Sequence, residues 1–158
     1  MNEQIDKLFG GKVRVRACGL CWEDSRLLLV NHKDLTSGDF WAPPGGGVDF
    51  GESIGSTLMH EFRDETGLIV EPGEFRFVCE FINPPLHAIE LFFDVMRISG
   101  QIKIGTDPEM PDSCQILSDI RYMKYDEILF LPANERHGLF NLFQNEKDLK
   151  MASGYHKI

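Results

Sequence analysis

The stretch from Trp41 to Leu68, WAPPGGGVDFGESIGSTLMHEFRDETGL, constrains this chain more than any other, because a proline-stiffened glycine run leads straight into a short segment crowded with carboxylates. Pro43 and Pro44 fix their own φ, and Gly45, Gly46 and Gly47 behind them are free to take unusual backbone angles and to approach a ligand closely. That combination reads as a binding loop. A periodic segment follows from Ser53 to Thr66, with Ser53 in the N-cap position and Gly67 placed to end it, so the spacing predicts a helix of about four turns.

At about 100° per residue, Ile54, Leu58 and Phe62 form an apolar stripe, while Glu61, Asp64 and Glu65 fall on one adjoining face. Glu65 projects almost along the stripe itself. A solvated acidic face would lie opposite the core, whereas this one begins at the core's edge. Carboxylates held there repel one another and lose hydration, so they either protonate or take up a cation. Oxygen-only anionic sites suit hard divalent ions such as Mg²⁺ or Mn²⁺. Taken alone, HEFRDE is more often a solvated helix face; the glycine run upstream moves the balance toward a site.

The same residues resemble the signature of the Nudix hydrolases, G-x5-E-x7-R-E-U-x-E-E-x-G-U with U apolar. Here Gly46 is followed by five residues, Glu52, seven residues, and then His60-Glu61-Phe62-Arg63-Asp64-Glu65-Thr66-Gly67-Leu68. The spacing is intact, with two departures: His60 where the family has Arg, and Asp64 where it has Glu. A match of this length is far more specific than a lone glycine motif.

The resemblance implies a Nudix-type α/β/α sandwich with a mixed β-sheet, spanning residues 1–158 as a single domain. It also implies a divalent-metal-dependent pyrophosphohydrolase acting on a nucleoside diphosphate derivative or a (d)NTP. By the same resemblance Glu61 and Glu65 bind Mg²⁺ or Mn²⁺, Asp64 assists, and Gly46 can add a carbonyl ligand. The family's Arg, which pairs with the acid matching Glu52 and orients the others, is His60 here. A nucleotide-binding sensor or partner-binding module with a weakened site is the alternative that His60 and Asp64 would favour. Turnover of a nucleotide panel separates the two.

The remainder of the chain fits one globular unit. Of its 158 residues, 42% are hydrophobic and 26% charged, enough for a core without disorder. A net charge of −9 argues against an extended nucleic-acid surface, which needs clustered Lys and Arg. The expected partner is therefore a nucleotide-type small molecule bridged by metal, and a homodimer is compatible with that. The opening MNEQIDKLFGGKVRVR lacks the apolar core of a signal peptide, and no run approaches the ~18 apolar residues of a membrane span, so the expected location is cytoplasmic. Cys18, Cys21, Cys79 and Cys114 lack paired zinc-site spacing and read as packing residues.

Val13 to Trp22 and Arg26 to Asn31 read as strands, the second apolar enough to be central; His32 to Asp39 reads as a loop, with Lys33 solvated, and Asp39 to Ala42 as extended. Beyond the helix, Leu68 to Val70, Phe75 to Ile82, and Ile89 to Ile98 read as strands, with turns at Pro72-Gly73 and Asn83-Pro84-Pro85. Alternation predicts solvent-facing positions for Glu80 and Glu90. Gly100 to Asp119 is the least regular stretch, and Asp107, Glu109 and Asp119 are unranked candidates there for a further metal-binding or basic acid. Ile120 to Lys124 reads as a last strand. Asp126 to Leu131 and Asn134 to Leu149 read as helical, the latter resembling the family's second major helix, and the tail MASGYHKI reads as frayed. Trp41 and Phe81 are aromatics available either to the core or to a stacked base.

Overall fold

The computed structural model describes residues 3–33, 38–107, 109–112 and 115–158. A short helix α1 (Glu3–Phe9) precedes strand β1 (Val13–Leu20), then β2 (Trp22–Glu23), β3 (Arg26–His32), β4 (Trp41–Ala42) and β5 (Gly45–Gly47). Helix α2 (Ile54–Thr66) leads into a long hairpin of β6 (Leu68–Asn83) and β7 (Leu86–Gly100). The chain ends with β8 (Leu117–Lys124), α3 (Tyr125–Phe130), a 3₁₀ turn (Gly138–Asn141), α4 (Glu146–Lys150) and β9 (Gly154–Lys157).

One sheet runs β5-β1-β7-β6-β9 and mixes directions, since β1 pairs parallel with β7 while β6 pairs antiparallel with it. In the second sheet β3 is central, with β8 along one edge and β2 and β4 along the other. The run RLLLV explains this position, because both of its faces are buried: Leu27 and Leu29 join one core and Leu28 and Val30 the other. The first core is closed by Tyr125, Ile128, Leu139, Phe140 and Leu149 from the C-terminal short helices. The second is closed by Leu58 and Phe62 of α2. The class is α/β, a mixed sheet with helices on both cores.

Helix α2 forms where the spacing predicts. Ser53 caps it by accepting a hydrogen bond from Ser56 N at 3.1 Å, and Gly67 ends it in the left-handed region at φ 76°, where a side chain would be strained. Elsewhere the structure corrects the sequence reading. Pro72-Gly73 is an irregularity of register inside β6 rather than a turn between strands. Residues 134–149 are not one helix: His137 is drawn to Glu90 of β7, Gly138 begins a single 3₁₀ turn, and Asn145 starts a new helix by capping Asp148 N at 2.9 Å. The tail does not fray, because β9 pairs with β6 from Phe77–Gly154 to Glu80–Lys157 and covers an otherwise open strand edge. His32 belongs to β3 rather than to a loop, and of the loop expected behind it residues 34–37 lie outside the described residues, as does Cys114. The cysteines Cys18, Cys21 and Cys79 are free and buried, as packing residues should be. Among the described residues, no helix is long and apolar enough to cross a membrane.

Candidate functional site

Helix α2 turns two of its acids inward. Glu61 and Glu65 are 2% and 1% exposed, against the backbone of β5. The glycine run is a strand here rather than an open loop, paired antiparallel with β1 so that Gly46 lies opposite Ala17. A methyl group on Gly46 would fall 2.3 Å from Glu61 Oε1, so the absence of a side chain is what admits the carboxylate. Gly45 N donates to Glu65 Oε2 at 3.2 Å, and Gly45 O accepts from Arg16 at 3.1 Å.

The third acid arrives by a loop that caps the helix. The last carbonyls of α2 lack partners within the helix, and they accept from the backbone N–H groups of the loop after β7: Thr106 to Asp64 at 3.0 Å, Gly105 to Glu65 at 2.9 Å, and Lys103 to Thr66 at 2.9 Å. This contact carries Asp107 to Glu65. Gln115 then fixes the position from both sides, its Oε1 accepting from Asp107 N at 2.6 Å and its Nε2 donating to Asp107 O at 3.0 Å. Across from them His32, at the end of β3, completes a group in which one donor atom each of His32, Glu65 and Asp107 lies within 4.8 Å of the others.

Arg16 is a cation beside this group, and burial of the acids outweighs it. Burial first, and then the neighbouring Glu65, pushes the Glu61 carboxyl up to about 9. Burial and the Asp107 charge hold Glu65 well above the ordinary range, and burial raises Asp107 as well. Burial, reinforced by Arg16, lowers the His32 imidazole to about 4, so it is neutral near pH 7. Glu61 Oε2 is buried with no hydrogen-bond partner among the described residues. Clustered acids that resist ionisation, an orphaned carboxylate oxygen and a neutral imidazole are a donor set that a divalent ion would satisfy.

His60 sits beside this cluster, its Nδ1 2.7 Å from Glu52 Oε1 and its Nε2 3.4 Å from Glu61 Oε1. It thus touches both acids at once. Asp64 points elsewhere, its Oδ1 accepting from Arg63 Nε at 2.9 Å on the exposed side of α2. Of the unranked loop acids, Asp107 joins the cluster, Glu109 pairs with Arg14, and Asp119 pairs with Arg121 at 2.6 Å. Burial would raise Glu109, but Arg16 and Arg14 outweigh it and hold that carboxyl below its usual value.

Glu90 corrects an expectation. It is buried rather than solvent-facing, because His137 Nε2 lies 2.7 Å away and Arg16 Nε 3.8 Å away. Glu80 is half-buried, with His87 Nε2 at 2.8 Å and the Tyr155 hydroxyl as a second partner. Trp41 is in the core with the Arg121 guanidinium 5.3 Å over its ring, while Phe81 is half-buried and Lys33 is exposed. Sequence reasoning missed His32, Arg16 and the Arg14–Glu109 pair. The signal available for Arg14 and Arg16 was the alternation of β1, which puts both on one face of a strand that pairs with the glycine run; His32 carried none.

A family model of the NUDIX domain matches residues 12–144. An ADP-ribose pyrophosphatase of Methanocaldococcus jannaschii is 31% identical over 91 residues, covering 56% of this chain and 54% of that protein. An uncharacterized Nudix hydrolase of Bacillus subtilis is 33% identical over 69 residues, covering 44% of this chain and 41% of its own length. The chain thus spans about half the length, or less, of these curated relatives. A solved NUDIX hydrolase from Nitrosomonas europaea superposes with a TM-score of 0.70 at 20% identity, covering 83% of this chain and 85% of that one.

Proposed function

The chain belongs to the Nudix family, and from that premise we propose that residues 1–158 act as one catalytic unit, a divalent-metal-dependent hydrolase cleaving the pyrophosphate linkage of a nucleoside diphosphate derivative. ADP-ribose is the first substrate to test, because the M. jannaschii relative carries that activity in its name; (d)NTPs are the second. The observation that carries the reading is the buried group of His32, Glu65 and Asp107, with the buried Glu61 coupled to it by charge and its Oε2 lacking a partner among the described residues.

In this proposal Glu61 and Glu65 would hold Mg²⁺ or Mn²⁺ and the Gly46 carbonyl would add to them, while Asp64 would assist by releasing its pair with Arg63. When bound, the ion would neutralise pyrophosphate oxygens and lower the pKa of an attacking water. The chain's own contribution is positioning. Gly45 N fixes the Glu65 carboxylate, His60 steadies Glu61 against Glu52, and the capping loop sets Asp107. The contact of His60 with both acids supports catalysis over a weakened sensor module, since it preserves the bridging that the family's Arg performs.

The test is a panel of ADP-ribose, other nucleoside diphosphate derivatives and the (d)NTPs, incubated with Mg²⁺ or Mn²⁺ and resolved by ion-exchange chromatography. Cleavage at the pyrophosphate of at least one class, abolished by a chelator, is the expected result. Folded protein that turns over neither class with either metal would overturn the enzymatic reading.

A further inference from the structure

The residue that stands out from an all-oxygen metal site is His32. It is 7% exposed, it ends a central strand, and its Nδ1 is buried with no hydrogen-bond partner among the described residues. Its Nε2 lies 3.8 Å from Glu65 Oε1. That separation is too long for a hydrogen bond, yet it falls within the ~3 to 4.2 Å that separates two ligands each about 2.1 Å from one ion. Asp107 lies in the same group and is held by Gln115 and by the loop's bonds to α2, so the arrangement is built rather than incidental.

We propose that His32, Glu65 and Asp107 form a mixed nitrogen–oxygen position within the divalent site, and that His32 makes the enzyme prefer a first-row transition ion such as Mn²⁺ or Co²⁺ over Mg²⁺. The inference rests on the reading above that Glu65 binds metal. Its chemistry is independent of the substrate: Mg²⁺ favours oxygen donors and sheds water reluctantly, whereas an imidazole donor favours first-row transition ions over it, Co²⁺ more than Mn²⁺. No residue of the Nudix signature supplies a nitrogen ligand here, because His60 is engaged with Glu52 and Glu61.

The decisive readout is spectroscopic. Metal-free protein is loaded with Mn²⁺ and pulsed EPR is recorded on natural-abundance protein and on protein labelled with ¹⁵N at histidine. A directly bonded histidine nitrogen coupling is expected, changing with the label and absent in His32→Asn. Calorimetric titration should also show Mn²⁺ binding more tightly than Mg²⁺, with His32→Asn weakening Mn²⁺ about tenfold or more and Mg²⁺ much less. Bound Mn²⁺ without histidine coupling in the wild-type protein would overturn this inference and leave the oxygen site standing. Failure to bind either ion would overturn both. Should the His32→Asn chain fail to fold, His60→Gln decides the assignment: a coupling that persists in it belongs to His32, and one that disappears overturns the inference.

Discussion

Replacing Glu65 by Gln should make the metal-free protein more stable while destroying its activity. Glu65 is buried at 1% exposure, and burial together with Asp107 keeps its carboxyl well above the ordinary value of 4.5. Gln keeps the shape, and its amide oxygen can still accept from Gly45 N. Above pH 4.5 the unfolded chain ionises Glu65 freely while the native state resists, so native stability is lost as pH rises through that window. Gln removes this penalty. For one buried, poorly compensated acid the gain is on the order of 1 to 3 kcal/mol, and a chain of this size shifts by about 2–4 °C per kcal/mol. The advantage should vanish below pH 4.5, where both states carry the proton. In the presence of Mg²⁺ or Mn²⁺ the order reverses, because the wild type gains binding energy that the variant has lost. Turnover of the variant should fall at least about a hundredfold. The assay is a thermal melt at pH 8 with chelator and with metal, alongside turnover at saturating metal. A Glu65→Gln protein that is less stable without metal, or that keeps near wild-type turnover, would refute the reasoning.

Gly46→Ala should remove activity by about a hundredfold or more without unfolding the chain, because its methyl group would meet Glu61 Oε1 at 2.3 Å, whereas Gly55→Ala, with its nearest neighbour at 3.9 Å, should be neutral or slightly stabilising; circular dichroism and turnover check both. His60→Leu frees Glu61 and Glu52 from their shared partner and should cost about 10- to 100-fold in metal affinity, while His60→Arg, which restores the family residue, should recover most of it by calorimetry. Metal-free wild type should lose melting temperature as pH climbs from 4.5 toward 9, the interval over which the native state retains the Glu61 proton and the unfolded state does not, and added Mn²⁺ should flatten that slope. Deleting residues 154–158 should expose the outer edge of β6, lowering the melting temperature and promoting aggregation that light scattering would detect.

Helix α2 was legible because its signals are local: Ser53 and Gly67 mark its ends, and the spacing of Leu58 and Phe62 fixes its buried face. Helical spacing placed Glu61, Asp64 and Glu65 on the adjoining face; Glu61 and Glu65 are buried there, while Asp64 pairs with Arg63 on the exposed side. Asp107 could be named only as one of three unranked loop acids, because its membership depends on loop N–H groups meeting carbonyls of α2 that lie some forty positions back in the chain, a contact with no local signature. His32 was hidden for a similar reason, since a polar residue at the end of an apolar run reads as the start of a loop. The run of residues 134–149 misled because Leu139, Leu142 and Phe143 share helical spacing, while the competing pull of Glu90 on His137 comes from a strand far away in the sequence. The polar tail GYHK carried no apolar alternation, and only the open edge of β6 gives it a place.

The claim on which the rest depends is that Glu61, Glu65 and Asp107 form a divalent-ion site rather than a buried cluster of protonated acids. Isothermal titration of metal-free protein with Mn²⁺, repeated in buffers of different ionisation enthalpy, tests it directly. Saturable binding accompanied by net proton release, lost in Glu65→Gln, is the predicted result. Absence of binding, or binding that releases no protons and is unchanged in Glu65→Gln, would contradict it.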